Sequence, residues 1–354
     1  MITGKITGFP DSTKIYLKNI NLDEDIDSTF LVKDSFQFKG KFQQDSVPEQ
    51  LWLYLRLNEG KEFYYTNLLV KNNDTIVITG NKDDFPDYIN KTGSRTQEVA
   101  NSLNVLTRDL EAKYSKLINE FFALNEKDKE TKGKKLIAEF NNIRNEIQQI
   151  EKDFLKKNYN TFYGVIKLSY YKKMFPKDTL KMMIENLNPT IRNSKYGQVI
   201  ETYVNSKIVD ENDKFYNFTA QDQKGNKVNF ADLFEKDKYI LLDFTATYCG
   251  PCVLSAKELK EINNKYSDKV KIVSFNVDPK KEVWEKGLKR DKVDWVSLWD
   301  GKGNFSKTYI KYGIQGVPTF FLINPEGIVI KKERGYGENL LTKMLKENGV
   351  IPKD

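Results

Sequence analysis

The chain has 354 residues and 2 cysteines, and both cysteines fall in one run, Tyr248-Cys249-Gly250-Pro251-Cys252. Two thiols at this spacing can carry out disulfide exchange, in which the thiolate is the attacking group. The elements around them bear on that chemistry. Ile240, Leu241, Leu242 and Phe244 form a short apolar run, the pattern of a strand covered on both faces. After the pair, Ser255, Ala256, Glu258, Leu259, Ile262 and Tyr266 carry helical spacing. Cys249 is therefore predicted at a helix N-terminus, where free amides and the positive dipole end favour negative charge. Such placement lowers a thiol pKa from about 8.5 to roughly 3.5–7.5. Cys249 is expected as the exposed, attacking sulfur and Cys252, one turn inside, as its resolving partner. Pro251 suits the first helical turn, where a missing N–H costs nothing.

Other uses of the pair are narrower. A zinc or copper site needs further Cys or His ligands, and the chain has 0 His, so no metal is expected. A purely structural disulfide across so short a step constrains the unfolded chain very little.

The stretch from Leu242-Asp243-Phe244 to Cys249-Gly250-Pro251-Cys252 resembles the thioredoxin superfamily. Gly316-Val317-Pro318-Thr319, leading into Phe320-Phe321-Leu322-Ile323, resembles its cis-proline loop. The resemblance implies that Pro318 is cis and lies against the cysteine pair, although an X–Pro bond taken alone is usually trans. It implies that the backbone at Val317 pairs with the substrate chain, with Tyr248, Gly250 and Pro251 completing the substrate-binding rim. It also implies that Asp243 is the buried acid that takes the proton of the second cysteine. A lone Asp in an apolar strand is costly without a partner or a task, and burial raises its pKa toward the range of a useful general base.

The hairpin pattern Phe218 to Phe230, with its Lys-Gly-Asn turn, resembles the leader of TlpA/ResA-like envelope oxidoreductases, and the likeness covers residues 212–354. This chain departs from the pattern in four places. Tyr248 stands where Trp is usual, Ser255 where Glu is usual, Lys257 where Pro is usual, and Ser274 at the position of the Lys that partners the buried acid.

Length suggests two or three domains, and the expected fold class is a multidomain α+β chain. Residues 1–92 read as an antiparallel β-sandwich, with strands at Lys14–Leu17, Phe30–Lys33, Phe36–Phe42, Leu51–Leu57, Phe63–Val70 and Thr75–Thr79. Turns are expected at Asp23-Glu24-Asp25, Lys33-Asp34-Ser35 and Asn72-Asn73-Asp74. This part resembles the uncharacterised β domain found ahead of TlpA-like modules. Its aromatics Trp52, Tyr54, Phe63, Tyr64 and Tyr65 read first as cross-strand packing and second as a binding groove. Residues 93–208 switch to helix. Leu103, Leu106, Leu110, Tyr114, Leu117 and Phe121, then Leu136, Phe140, Ile143, Ile147, Ile150 and Phe154, predict a long helical hairpin broken at Glu126–Gly133. Residues 209–354 are expected to form a thioredoxin fold with an added N-terminal hairpin.

The balance of 57 basic against 50 acidic residues, net +7, is scattered without a basic block, which argues against nucleic-acid binding. No run approaches the roughly 18 apolar residues of a membrane helix. Met1 leads straight into a strand-like pattern without a signal peptide, which reads either as a cytosolic protein or as one whose leader has been removed; the resemblance implies the second, a periplasmic or envelope protein whose leader, and any membrane anchor, precedes this sequence. A homodimer is compatible with the helical seam.

The function expected is thiol–disulfide exchange that reduces disulfides of envelope proteins, fed by an upstream electron donor. The Gly-Pro dipeptide is that of thioredoxin, whose potential is about −270 mV. No cofactor is expected beyond the Cys249–Cys252 disulfide. A thiol peroxidase shares this leader hairpin, but its Pro-x-x-x-Thr-x-x-Cys pattern needs Thr where this chain has Ala246. The alternative from another class is a ligand- or partner-binding envelope scaffold whose dithiol is regulatory or vestigial.

Overall fold

The computed structural model describes residues 1–39 and 47–352. Its contacts divide the chain into two compact units, Met1–Ile200 and Glu201–Asp354. The first unit contains the expected β segment and the expected helical segment up to residue 200.

Eight strands open the first unit: β1 Ile2–Thr7, β2 Lys14–Asn19, β3 Glu24–Phe30, β4 Ser35–Phe38, β5 Glu49–Leu57, β6 Glu62–Val70, β7 Ile76–Asn81 and β8 Asn90–Thr92. They form two four-stranded sheets, in the orders β4-β1-β7-β8 and β3-β2-β5-β6. Alternation explains the packing. Leu51, Leu53 and Leu55 of β5 join Ile15, Leu17, Ile2, Ile6, Ile76 and Ile78 in one core, while Trp52 and Tyr54 alternate with them. On that alternate set Tyr16 of β2 stacks on Tyr54 of β5 at 4.9 Å, and Tyr54 packs on Phe63 of β6 at 5.6 Å, the cross-strand packing expected of these aromatics.

Four expectations need correction. The sandwich is not wholly antiparallel, because β1 pairs with β7 in parallel across a long crossover. The strand expected at Phe30–Lys33 lies at Glu24–Phe30, a mostly exposed run with no apolar alternation to reveal it. Lys33 and Asp34 have positive φ and make the turn instead, and the turn expected at Asp23-Glu24-Asp25 lies at 20–23, because Glu24 and Asp25 already pair with β2. The strand expected at Phe36–Phe42 is present as Ser35–Phe38, and residues 40–42 lie outside the described residues.

Seven helices follow: α1 Arg95–Ala123, α2 Glu126–Asp128, α3 Lys134–Asn158, α4 Phe162–Tyr171, α5 Lys177–Glu185, α6 Pro189–Arg192 and α7 Lys195–Val204. Ser94 caps α1 through the Gln97 amide. α1 and α3 pack as the expected hairpin, with Phe140 edge-on to Tyr114 and Phe121. The break between them is narrower than the polar run suggests. Only Leu124 and Asn125 leave helical geometry, and a π-helical stretch, Lys129–Gly133, continues into α3.

The second unit is built on one seven-stranded sheet, β10-β9-β13-β12-β11-β14-β15. Its strands are β9 Thr219–Asp222, β10 Lys227–Asn229, β11 Tyr239–Thr245, β12 Val270–Asn276, β13 Val296–Trp299, β14 Thr319–Ile323 and β15 Val329–Arg334. Its helices are α8 Gly250–Lys265, α9 Lys281–Asp291, α10 Lys307–Lys311 and α11 Leu340–Glu347. β11 lies in the middle, parallel to β12 and antiparallel to β14. Both faces of β11 are covered, as its unbroken apolar run requires. Ile240, Leu242 and Phe244 enter one core with Phe218, Phe230 and Tyr312. Leu241 enters the other with Leu259 and Ile262 of α8 and Leu341 and Met344 of α11. This is the thioredoxin fold with the added β9–β10 hairpin. By alternation Asp243 shares the face of Leu241, the one that α8 covers.

Candidate active site

β11 delivers the chain to Cys249, and α8 begins there. Cys249 is the helix N-cap in extended conformation, and its Sγ accepts a hydrogen bond from the Cys252 amide at 3.2 Å. Its carbonyl accepts from the Cys252 and Val253 amides at 3.1 and 3.2 Å. Pro251 sits in the first helical turn. Cys249 and Cys252 are joined as a disulfide.

Cys249 is only 8% exposed and Cys252 4%. Cys249, expected as the exposed sulfur, is therefore less open than the sequence suggests, because the Gly316–Thr319 loop lies against it. The Val317 carbonyl oxygen is 3.4 Å from Cys249 Sγ, and the Val317–Pro318 bond is cis. Thr319 Oγ1 donates to the Gly316 carbonyl at 2.7 Å and the Gly335 amide donates to the Pro318 carbonyl at 2.9 Å, which tie down this loop. Tyr248 (63% exposed), Gly250 and Pro251 form an open rim, Val317 is half-buried and Pro318 is buried.

Asp243 is 2% exposed and lies on the helix side of the sheet. Its Oδ2 accepts a hydrogen bond from Ser274 Oγ at 3.0 Å, and its Oδ1 has no hydrogen-bond partner among the described residues. Burial pushes its carboxyl up from 3.8 to about 7, with the Ser274 hydroxyl opposing the rise. Asp243 and Cys252 both line a cavity of about 30 Å³ beneath α8, together with Ala256, Ser274, Asp291 and Trp295. Cys252 and a carboxyl whose pKa burial raises thus line one small cavity.

Sequence reasoning missed two arrangements. The first continues from Asp243. Sheet register places Asp243, Ser274 and Ser297 side by side on β11, β12 and β13, and the indoles of Trp295 and Trp284 donate to Ser274 and Ser297 at 2.9 and 3.0 Å. The second holds the residue two before Cys249. Asp278, fully buried, accepts from the Thr247 amide at 2.9 Å and from its hydroxyl at 2.6 Å. Arg290 donates to the Thr247 carbonyl at 2.7 Å, and Gly287 of α9 leaves no room for a Cβ beside Thr247 Oγ1. The signal for the first was two tryptophans near an Asp-bearing sheet. The second had only an unexplained Asp after a strand. Ser255, which replaces the usual Glu, turns to its own helix and donates to the Cys252 carbonyl at 3.0 Å. Among the described residues there is no cluster able to hold a metal ion and no helix long and apolar enough to cross a membrane.

A family model described as Thioredoxin-like matches residues 237–329, and one described as a domain of unknown function matches residues 1–100. The chain is 31% identical over 137 residues to the thiol-disulfide oxidoreductase ResA of Bacillus subtilis, a match covering 38% of this chain and 72% of that one. It is also 31% identical over 120 residues to the ResA of Bacillus thuringiensis, covering 34% of this chain and 66% of that relative, just under two thirds of its length. The thioredoxin domain of a thiol-disulfide oxidoreductase from Bacteroides vulgatus aligns at 28% identity and a TM-score of 0.36, over 40% of this chain and 99% of that domain. The similarity to the Bacillus subtilis protein over 137 residues shows the lineage: the chain belongs to the thioredoxin superfamily, in the ResA-like family of thiol–disulfide oxidoreductases.

Proposed function

We propose that this protein reduces disulfide bonds in envelope proteins by thiol–disulfide exchange at Cys249 and Cys252. The thiolate of Cys249 attacks a substrate disulfide, and one substrate sulfur leaves with the electron pair. Cys252 then gives up its proton to Asp243 and attacks Cys249, and the second substrate sulfur leaves and is protonated. The products are a reduced substrate and the Cys249–Cys252 disulfide, which an upstream electron donor reduces for the next turn. The working group is the dithiol itself, with no further cofactor. The substrate chain lies along Val317 and Pro318, bounded by Tyr248, Gly250 and Pro251. The kinship with ResA supports an envelope location.

The observation that carries this reading is the seating of Cys249. It caps α8, receives the Cys252 amide on its sulfur, and faces the Val317 carbonyl at 3.4 Å. Amide donation and the dipole end stabilise the thiolate, while the carbonyl offers an acceptor next to the place where a substrate strand would pair. Insulin reduction with dithiothreitol as donor tests it. The wild-type chain is expected to precipitate the insulin B chain and Cys249→Ser to be inactive. Full activity in Cys249→Ser would refute the assignment.

A further inference from the structure

The row of polar groups behind the cysteine pair can govern how its proton moves. Ser274 has one hydroxyl proton and stands between two partners. Its oxygen accepts from Trp295 Nε1 at 2.9 Å, and the hydroxyl lies 3.0 Å from Asp243 Oδ2. An indole N–H only donates, so the Ser274 proton is directed away from Trp295 and onto Oδ2. Oδ2 then serves as an acceptor, and the other oxygen, Oδ1, is left to carry the acid proton. Oδ1 has no partner among the described residues, and Asp243 lines the same cavity as Cys252. That cavity, of about 30 Å³, has room for a water molecule, which needs roughly 10–15 Å³ by this measure.

We infer that Trp295 and Ser274 are positioning residues that fix the ionisable proton of Asp243 on Oδ1, so that it is exchanged with Cys252 across the cavity and not with the sheet. This rests on the exchange reaction proposed above and assigns work to a Ser at the position where the sequence pattern had lost a charged partner. In the resolving step the Cys252 S–H bond breaks and its proton passes to Asp243 Oδ1. The Cys252–Cys249 bond forms, and the Cys249–substrate bond breaks. The electron pair leaves on the substrate sulfur, which takes a proton in turn. Nothing is oxidised beyond the two cysteines, and the substrate sulfur is what is reduced.

The charged and titratable groups facing Asp243 are few. Cys252 comes from α8, and Asp291 from α9, where it is paired with Arg290 at 2.7 Å. β14 presents Phe320 opposite Asp243. The Ser274 hydroxyl is therefore the close dipole that stabilises the ionised carboxyl, and a charge-assisted bond of this kind moves a titration by about one pH unit.

The test is to titrate the Asp243 carboxyl by ¹³C NMR in the oxidised full-length protein, where the cysteines do not ionise. Four proteins are compared: wild type, Ser274→Ala, Ser274→Thr and Trp295→Phe. Ser274→Ala is expected to raise the midpoint by about one pH unit, Ser274→Thr to restore it, and Trp295→Phe to give a smaller rise in the same direction. The pH profile of mixed-disulfide resolution should move with the midpoints, and in the Asp243→Asn background Ser274→Ala should move it no further. Coincident midpoints in wild type and Ser274→Ala, or a Ser274→Thr midpoint as high as that of Ser274→Ala, overturn the inference. A shifted titration in a protein that reduces no disulfide would instead overturn the exchange reading and leave the hydrogen-bond chain standing.

Discussion

Replacing Asp243 by Asn should stabilise the folded protein, and by an amount that depends on pH. The carboxyl is 2% exposed and its titration is pushed from 3.8 to about 7 by burial. The folded protein therefore holds this proton more tightly than the unfolded chain does, so ionising Asp243 opposes folding. The cost is absent below about pH 4, grows as pH rises through the gap between the two values, and is complete above about pH 7. At about 1.4 kcal/mol per pH unit the full cost is about 4 kcal/mol, and about 2 kcal/mol of it is present at about pH 5. Asn keeps the shape and cannot ionise, so Asp243→Asn removes this cost. Guanidinium unfolding of the oxidised proteins, followed by tryptophan emission, reads it out. Trp284, Trp295 and Trp299 all lie in the second unit and Trp52 in the first, so the signal follows mainly the unit in question. Asp243→Asn should exceed wild type by about 4 kcal/mol at about pH 8 and by about half that at about pH 5. An advantage of equal size at both pH values would refute the reasoning, because a buried titrating carboxyl cannot produce it.

Thr247→Val removes the hydroxyl that donates to the fully buried Asp278 at 2.6 Å. It should cost about 1–3 kcal/mol in chemical denaturation, the penalty of a buried acceptor left short of a donor. Gly287→Ala places a Cβ against Thr247 and should destabilise by about 1–3 kcal/mol, with a measurable shift in the redox equilibrium because Thr247 lies two residues before Cys249. Cys252→Ser keeps the attacking sulfur and loses the resolving one, so it should accumulate a mixed disulfide with substrate, visible as a mass increase that dithiothreitol reverses; absence of such an adduct would contradict the assigned roles.

The second unit was largely legible because its signals are local. An apolar strand, a Cys-x-x-Cys turn and a helical spacing sit in one contiguous stretch, and the resemblance extends this to the thioredoxin fold. The buried position of Asp243 was legible too, since its strand neighbours are apolar on both sides. What joins Asp243 to Ser274 and Trp295 was not, because the bond depends on parallel register between β11 and β12 and on a side chain reaching back from residue 295. The clamp on Thr247 was hidden for the same reason: Asp278, Gly287 and Arg290 meet only when α9 folds over the sheet. In the first unit, exposed β3 offered no alternation, and the parallel pairing of β1 with β7 is a long-range fact that local patterning does not carry. The loop against Cys249, 68 residues away in sequence, was legible through the resemblance, but how far it shields the sulfur depends on side-chain and backbone packing that the sequence does not carry.

The central claim is that Cys249 and Cys252 form a reversible two-electron couple poised for reduction. The most direct measurement is its equilibrium potential in the full-length protein, against a dithiothreitol or glutathione series, read by the masses of alkylated species. The account predicts a single reversible couple at or below roughly −230 mV, in the range of thioredoxin-like reductants. A value above about −180 mV, or no reversible couple, would contradict it.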